Sequence, residues 1–388
     1  MGVVRRVSLC GPKTLHSKRK TMSETAPNTA KVTPETPPFV FVVCQNGAET
    51  ATKQEILTHH PNLKLSFSRP GFITFKVDPE KPLPLRFTLK STLARTYGWS
   101  TSKLSGDNAD DLIDQLVGKA HFDAASRVHL WQRDLTLPGK NGFEPGVSEL
   151  AKAIGSQIDT KSKRTDQVNQ YAAADDLVFD IIMVEPDQWW LGFHYAVTPA
   201  GRWPGGTPTL DVSKEVFSRA YFKLKEALMW SGINVRSTDV CAEIGSAPGG
   251  ACQFLLEHDC EVIGIDAAEM EAEVLEHPKF THLRRRSFEV KKKDFKPVNW
   301  LVADMNLDPD GTLDTVASIC GYEGVHLKGM ILTLKLSDWS YIPKISDMIK
   351  RVRDLGFQVV KTRQLAFNRR EFCLVAIKNK ITLRKTKK

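Results

Sequence analysis

The sequence predicts an α/β protein. Its second half reads as a sheet with helices on both faces and an antiparallel final strand, and a smaller α+β region precedes it. Three observations carry this reading. Residues 209–388 alternate helical patterns with short apolar runs: SRAYFKLKEALMW, DVCAEIG, CEVIGID, NWLVADM, GMILTLKL, FQVVKTRQL and EFCLVAIK. Such runs between helices describe strands covered on both faces. The last two are separated only by AFNRR, too short for a crossover helix, so they should pair antiparallel. The aperiodic, Gly- and Pro-rich PAGRWPGGTP (199–208) marks a boundary between the two halves.

Each element follows in order. Residues 1–38 are poor in large apolar side chains and carry seven Lys/Arg against two Glu, a composition that predicts a disordered leader. Two readings of it stay open: a targeting peptide, or a true translation start at Met22. Residues 39–89 predict a small α+β module, with strands at FVFVV and PGFITFKV around the helix AETATKQEILTH. Residues 90–200 predict a helix at DDLIDQLVG, a polar loop near 157–170, and a hairpin of VFDIIMVE with WWLGFHYAV. Trp189 and Trp190 suit either base stacking or a core. Residues 201–388 form the last domain, with a basic tail.

Composition narrows the class. A chain of 388 residues exceeds one ordinary core, which predicts two or three domains. Hydrophobic content of 41% and charged content of 26% describe a globular protein, and no run approaches the ~18–20 apolar residues of a membrane span. The seven cysteines are scattered without a CxxC, which predicts reduced thiols in a cytoplasmic protein. His59, His60 and His194 have no acid or cysteine pattern beside them, so no metal is expected. The net charge of +9 favours a polyanionic partner.

EIGSAPGG (243–250) falls at a strand-to-helix turn. Gly245, Gly249 and Gly250 allow close backbone approach, Ala247 and Pro248 shape the turn, and the new helix presents free N–H groups. Asp266 ends the next strand, where a carboxylate can hold ribose hydroxyls. The local letters fit a Rossmann-like dinucleotide turn, a phosphate, a methyl donor or a turn with no ligand. Four polar residues gather on the same predicted edge: Asp304 after LVA, Lys335 at the end of ILTLK, Glu371 at the start of EFCLVAI, and Lys223 from the preceding helix. Taken singly, each suits a surface or capping role. Together they suit methyl transfer to a hydroxyl, which needs a base. A lysine becomes one when burial or neighbouring positive charge favours its neutral form. Lys335 is the candidate base, Lys223 the positive neighbour, and Asp304 and Glu371 the anchors of both amines.

EIGSAPGG with SRAYFKL, LVADM, ILTLKLSDW and RREFCLVAI resembles the FtsJ/RrmJ-like ribose 2′-O-methyltransferases over roughly residues 205–380. Their Lys-Asp-Lys-Glu tetrad falls on Lys223, Asp304, Lys335 and Glu371, in the same chain order. The resemblance implies a seven-stranded methyltransferase sheet and S-adenosylmethionine as donor. FVFVVCQNGAETATKQEI, SRPGFITFKV and WWLGFHYAV are similar to the front half of the RlmM group. That likeness implies a THUMP-like RNA-binding region and a cytidine of large-subunit (23S) ribosomal RNA as target. Two positions depart from the family. Ala251 stands where Trp usually follows PGG, and Ser287 stands where many members place Asp against the adenine.

Charge placement agrees with an RNA partner. KFTHLRRRSFEVKKKDFK (279–296) holds eight Lys/Arg, including Arg284, Arg285, Arg286, Lys291, Lys292 and Lys293, which suit phosphate oxygens or simple solvated surface. Tyr221, Phe222 and Trp339 are candidate cleft residues, with Phe222 better suited to a core. Two alternatives stay open: a nonenzymatic RNA-binding or ribosome-assembly factor that keeps the fold, and an NAD-dependent dehydrogenase using the glycine turn.

Overall fold

The computed structural model describes residues 36–378 apart from 141–142, 144, 164–167 and 213. The expected leader up to residue 35 and the tail from 379 lie outside the described residues. The rest forms two seven-stranded sheets.

The first sheet takes β1 (Phe39–Val43), β2 (Leu63–Arg69), β3 (Phe72–Val77), β4 (Thr96–Ser105), β5 (Arg127–Gln132), β6 (Leu177–Glu185) and β7 (Gln188–Tyr195), in the order β2-β3-β1-β4-β7-β6-β5. Only β5 and β6 pair in parallel. Helices α1 (Glu49–His59), α2 (Ala109–Asp114), α3 (Ala120–Ala124) and α4 (Glu149–Ser162) belong to this half. β1 shows why FVFVV is apolar throughout. Val40 and Val42 pack with Ile56 of α1, while Phe41 and Val43 face Phe72 and Trp131 on the other side. The boundary expected at residues 89–90 falls inside this sheet, because β1 pairs with β3 on one side and β4 on the other. The predicted hairpin is present as β6–β7, with Trp189 fully buried and Trp190 half-buried.

The second sheet takes β8 (Val240–Ile244), β9 (Glu261–Ile265), β10 (Phe280–Leu283), β11 (Trp300–Ala303), β12 (Gly329–Lys335), β13 (Val359–Arg363) and β14 (Glu371–Ile377), ordered β10-β9-β8-β11-β12-β14-β13. Its first five strands are parallel, and β14 runs antiparallel to both β12 and β13, as the short AFNRR connection requires. α5 (Arg219–Ser231) and α6 (Gly250–Glu257) share one apolar cluster with one face of the sheet. α8 (Pro309–Cys320) and α9 (Ile345–Asp354) share another with the opposite face, and α7 (Ala272–Leu275) lies in the β9–β10 connection.

The segment 199–208 is no loose linker. Ala200, Gly201 and Trp203–Thr207 are buried, and Gly205 and Gly206 take positive φ values of 61° and 74°. A Cβ on Gly206 would lie 2.4 Å from the Arg95 carbonyl oxygen, so that close approach requires glycine. Ala51 and Leu93 of the first half join the apolar cluster on the α8–α9 side of the second sheet. No helix among the described residues is long and apolar enough to cross a membrane.

Candidate active site

The carboxyl edge of the second sheet collects the candidate residues because of register. Ile244 pairs with Ile265 and Ala303, so Gly245, Asp266 and Asp304 leave the sheet side by side. Glu371 starts β14 directly opposite Lys335, the last residue of β12. Lys223 comes from α5, which Ser218 caps by accepting the Ala220 N–H and Gly232 ends in a left-handed turn.

All four side chains meet, but unequally. Lys223 Nζ lies 2.9 Å from Asp304 Oδ2 and 2.5 Å from Glu371 Oε1, and its side chain is 9% exposed. Lys335 Nζ lies 3.3 Å from Asp304 Oδ1, and its side chain is 32% exposed. Among the described residues Glu371 pairs with Lys223 alone of the two amines, whereas anchoring of both lysines by both carboxylates was expected. Burial alone would depress Lys223, but Asp304 and Glu371 outweigh it and hold the ammonium above its ordinary range. Burial likewise pushes Asp304 up, and Lys223 and Lys335 overcome it and hold the carboxyl below the usual range. Lys223 is therefore a fixed cation, and Lys335 is the amine that solvent and ligands can reach.

The glycine turn serves the protein's own packing first. A Cβ on Gly245 would lie 2.5 Å from the Asp304 carbonyl oxygen, and one on Gly250 would lie 2.2 Å from Ser218 Oγ. Gly249 has φ +123°. The turn still fits a polar ligand. α6 begins at Gly250 with no side-chain cap, and of its opening N–H groups that of Cys252 is turned to Glu243. Asp266 accepts from Ala247 N at 3.1 Å and Ala268 N at 2.9 Å, one bond per oxygen, leaving a lone pair on each for ribose hydroxyls. Beneath the turn, the buried Glu243 accepts from Cys252 Sγ at 2.9 Å through Oε2, and its Oε1 has no hydrogen-bond partner among the described residues. Burial pushes this carboxyl up to about 8.

Residues 216–365 match the family model described as FtsJ-like methyltransferase. This segment is an FtsJ-like methyltransferase domain. S-adenosylmethionine is its methyl donor, which sets the dehydrogenase alternative aside. The chain is similar to ribosomal RNA large subunit methyltransferase M of Xanthomonas oryzae pv. oryzae, 29% identical over 319 residues, covering 79% of this chain and 88% of the relative. It is also similar to the protein of that name from Teredinibacter turnerae, 26% identical over 265 residues, covering 64% and 71%. Among solved structures, fibrillarin of Aeropyrum pernix with bound S-adenosyl-L-methionine aligns at 15% identity and a TM-score of 0.31, covering 51% of this chain and 81% of that one.

The two departures have definite places in the FtsJ-like domain. Ala251 is 2% exposed and lines a narrow space with Lys223, Glu243 and Asp304. Ser287 opens a short helical turn (Ser287–Glu289) after β10 and is half-buried. Leu283 pairs with Ile265, so Arg284 leaves the sheet beside Asp266. Arg284, Arg285, Arg286, Lys291, Lys292 and Lys293 are all exposed, and Phe288 among them is 76% exposed.

The aromatic candidates divide. Tyr221 does not face the cleft: it is buried against Phe254, and its hydroxyl donates to Glu257 Oε2 at 2.7 Å. Phe222 stacks on Phe367 at 4.6 Å, joining α5 to the loop before β14. Trp339 is half-buried just beyond β12. Three neighbours escaped the sequence reading. Asn368 Nδ2 donates to Glu371 Oε1 at 3.3 Å while its Oδ1 accepts the Leu365 N–H, which fixes the carboxylate. Arg219, half-buried, donates to the Phe367 carbonyl at 3.2 Å. Glu243 is the third, and only its place in an apolar strand before the glycine turn signalled it.

Proposed function

We propose that the protein transfers the methyl group of S-adenosylmethionine to a ribose 2′-hydroxyl of RNA, with a cytidine of large-subunit ribosomal RNA as the target. The observation that carries this is the meeting of Lys223, Asp304, Lys335 and Glu371 beside the glycine turn. The donor's sulfonium supplies an electrophilic methyl group. The hydroxyl must lose its proton as it attacks, and Lys335, accessible and held by a single 3.3 Å contact, is the group placed to take it. Lys223 pairs with Glu371 and shares Asp304, so that Asp304 holds Lys335 less strongly than it would alone. The Gly249–Gly250 turn and Asp266 would hold the donor, and Ser287 stands where the family places a residue against the adenine.

The first sheet is the RNA-holding, THUMP-like region on this reading. On its surface Phe67 stacks with the half-buried Trp190 at 4.7 Å, Arg69 lies over the Phe67 ring and Lys103 over the Trp190 ring, each at 5.0 Å. Aromatic faces with adjacent cations suit bases and phosphates together. The exposed basic residues of 284–293 add phosphate contacts at the donor edge. The unpaired cysteines among the described residues suit a reducing cytoplasm.

The test incubates the full chain with labelled methyl donor and RNA lacking the modification, then maps the label by nuclease digestion. The expected product is a single 2′-O-methyl nucleotide in large-subunit RNA. RNA carrying 2′-deoxyribose only at the mapped nucleotide should stay unlabelled there. Continued labelling at that nucleotide would overturn the ribose reading.

A further inference from the structure

A second constellation lies in the first sheet, where no step of methyl transfer uses it. His129 on β5, Asp180 on β6 and His194 on β7 project from one face: His129 pairs with Asp180, and His194 pairs with Val178, two residues along the same strand. All three are buried, at 0%, 0% and 6% exposure, and their nitrogen and oxygen atoms lie within 4.8 Å of one another. His194 Nε2 bonds the Gly201 carbonyl at 2.6 Å, and His129 Nε2 bonds the Gln170 carbonyl at 3.1 Å. A carbonyl only accepts, so each Nε2 carries a proton and each ring is left with Nδ1 for other work. His194 Nδ1 lies 2.6 Å from Asp180 Oδ2. His129 Nδ1 and Asp180 Oδ1 have no hydrogen-bond partner among the described residues.

We propose that His129 Nδ1, Asp180 and His194 Nδ1 bind a divalent first-row transition ion of the Zn²⁺ class. A plain His–Asp ion pair accounts for one contact but leaves two polar atoms sealed in the interior without partners. An ion answers both. Two imidazoles and a carboxylate form a donor set suited to zinc, and each Nε2–H held by a backbone carbonyl fixes the ring as metal-bound histidines are usually fixed. The carboxylate offsets charge, and the burial excludes substrate, so the ion is structural. It ties three strands to the buried 199–208 segment through Gly201.

The test uses the full chain, stripped by chelator and dialysed against micromolar Zn²⁺, with bound metal counted by mass spectrometry. About one equivalent is expected; less than about 0.1 equivalent overturns the proposal. Co²⁺ loaded in place of Zn²⁺ should give ligand-field bands without a thiolate charge-transfer band. A thiolate band would move the ion to the cysteines and overturn the assignment. His129→Ala, checked for folding by circular dichroism, should weaken Zn²⁺ binding at least about tenfold. Undiminished binding in a folded His129→Ala protein also overturns it. Should that variant fail to fold, the stoichiometry and the cobalt spectrum of the unmodified chain decide alone.

Discussion

Lys223, Asp304, Lys335 and Glu371 meet where strands end or begin, whereas His129, Asp180 and His194 project from within three neighbouring strands. At a strand end the backbone diverges and leaves room, so one member of the first group, Lys335, has a third of its side chain exposed. Within the sheet nothing diverges, and the second group is sealed. Glu243 lies one residue short of the edge but at 1% exposure belongs with the sealed groups. The difference teaches how to assign such groups. Charge open at an edge acts on ligands, and charge sealed inside acts on the fold, so substitutions at the two kinds of place should move different measurements.

The largest expected effect is at the open extreme. Lys335→Ala should lower the single-turnover methyl-transfer rate by at least about 10²-fold while leaving donor binding and thermal stability near those of the parent. Lys335→Arg should be poor as well, since a guanidinium does not readily become neutral. Restoration of most of the rate by arginine would make Lys335 an orienting cation and pass the base role to another group. Next comes Asp266→Ala, which removes charge-assisted acceptors from the donor site. Calorimetric titration with S-adenosylmethionine should show affinity reduced by about 10- to 100-fold, and an unchanged dissociation constant would place the donor elsewhere.

The remaining effect belongs to the sealed carboxyl and is read in stability, not in rate or affinity. Folding raises Glu243 from the ordinary 4.5 to about 8, so the native state holds a proton there that the unfolded chain releases. Its contribution is complete below about pH 4.5 and declines as pH rises through 8, by at most about 1.4 kcal/mol per pH unit. Glu243→Gln should abolish that decline in the protein without donor. Unfolding curves of parent and variant measured from pH 5 to 8 should separate steadily, with the variant the more stable at the alkaline end. Parallel curves would mean that Glu243 is ionised in the native state, and sealing alone would not decide the charge of a buried carboxyl.

The second half was legible because its strands are short apolar runs with a polar residue at one end. LVAD, ILTLK and EFCLVAI announce both the strand and the side chain that leaves it, so Asp304, Lys335 and Glu371 could be read at one sheet edge, with Lys223 added from the helix before the first strand and the set named as a tetrad by the family resemblance. The first half was harder. β2 (LKLSFSR) and β4 (TYGWSTSKLS) contain register shifts after Leu65 and Ser100, which break the two-residue period that marks a strand. β5 (RVHLWQ) places a histidine where an apolar residue is expected, and no local pattern joins His129 to Asp180 and His194. Tyr221 shows the same limit on a helix. Lys223, two residues on, reaches Asp304 and Glu371, but rotation about α5 turns Tyr221 towards α6. Side chains from separate elements meet only through register and packing, which a single stretch of sequence does not record.

The segment 199–208 has one further consequence. Arg363 of β13 donates to the carbonyls of Arg95 and Gly206, and Arg95 reaches back to the Ala366 carbonyl at 3.3 Å, in the loop that leads to Glu371. Thr92 and Thr362 share a hydrogen bond of 2.7 Å, and Gln364 N donates to the Thr92 carbonyl at 2.7 Å. Buried bonds of this kind fasten the two sheets to each other rather than letting one swing on a hinge. The span from Trp190 to Lys335 is thereby set by buried polar bonds between the two sheets, not by the length of a connecting segment.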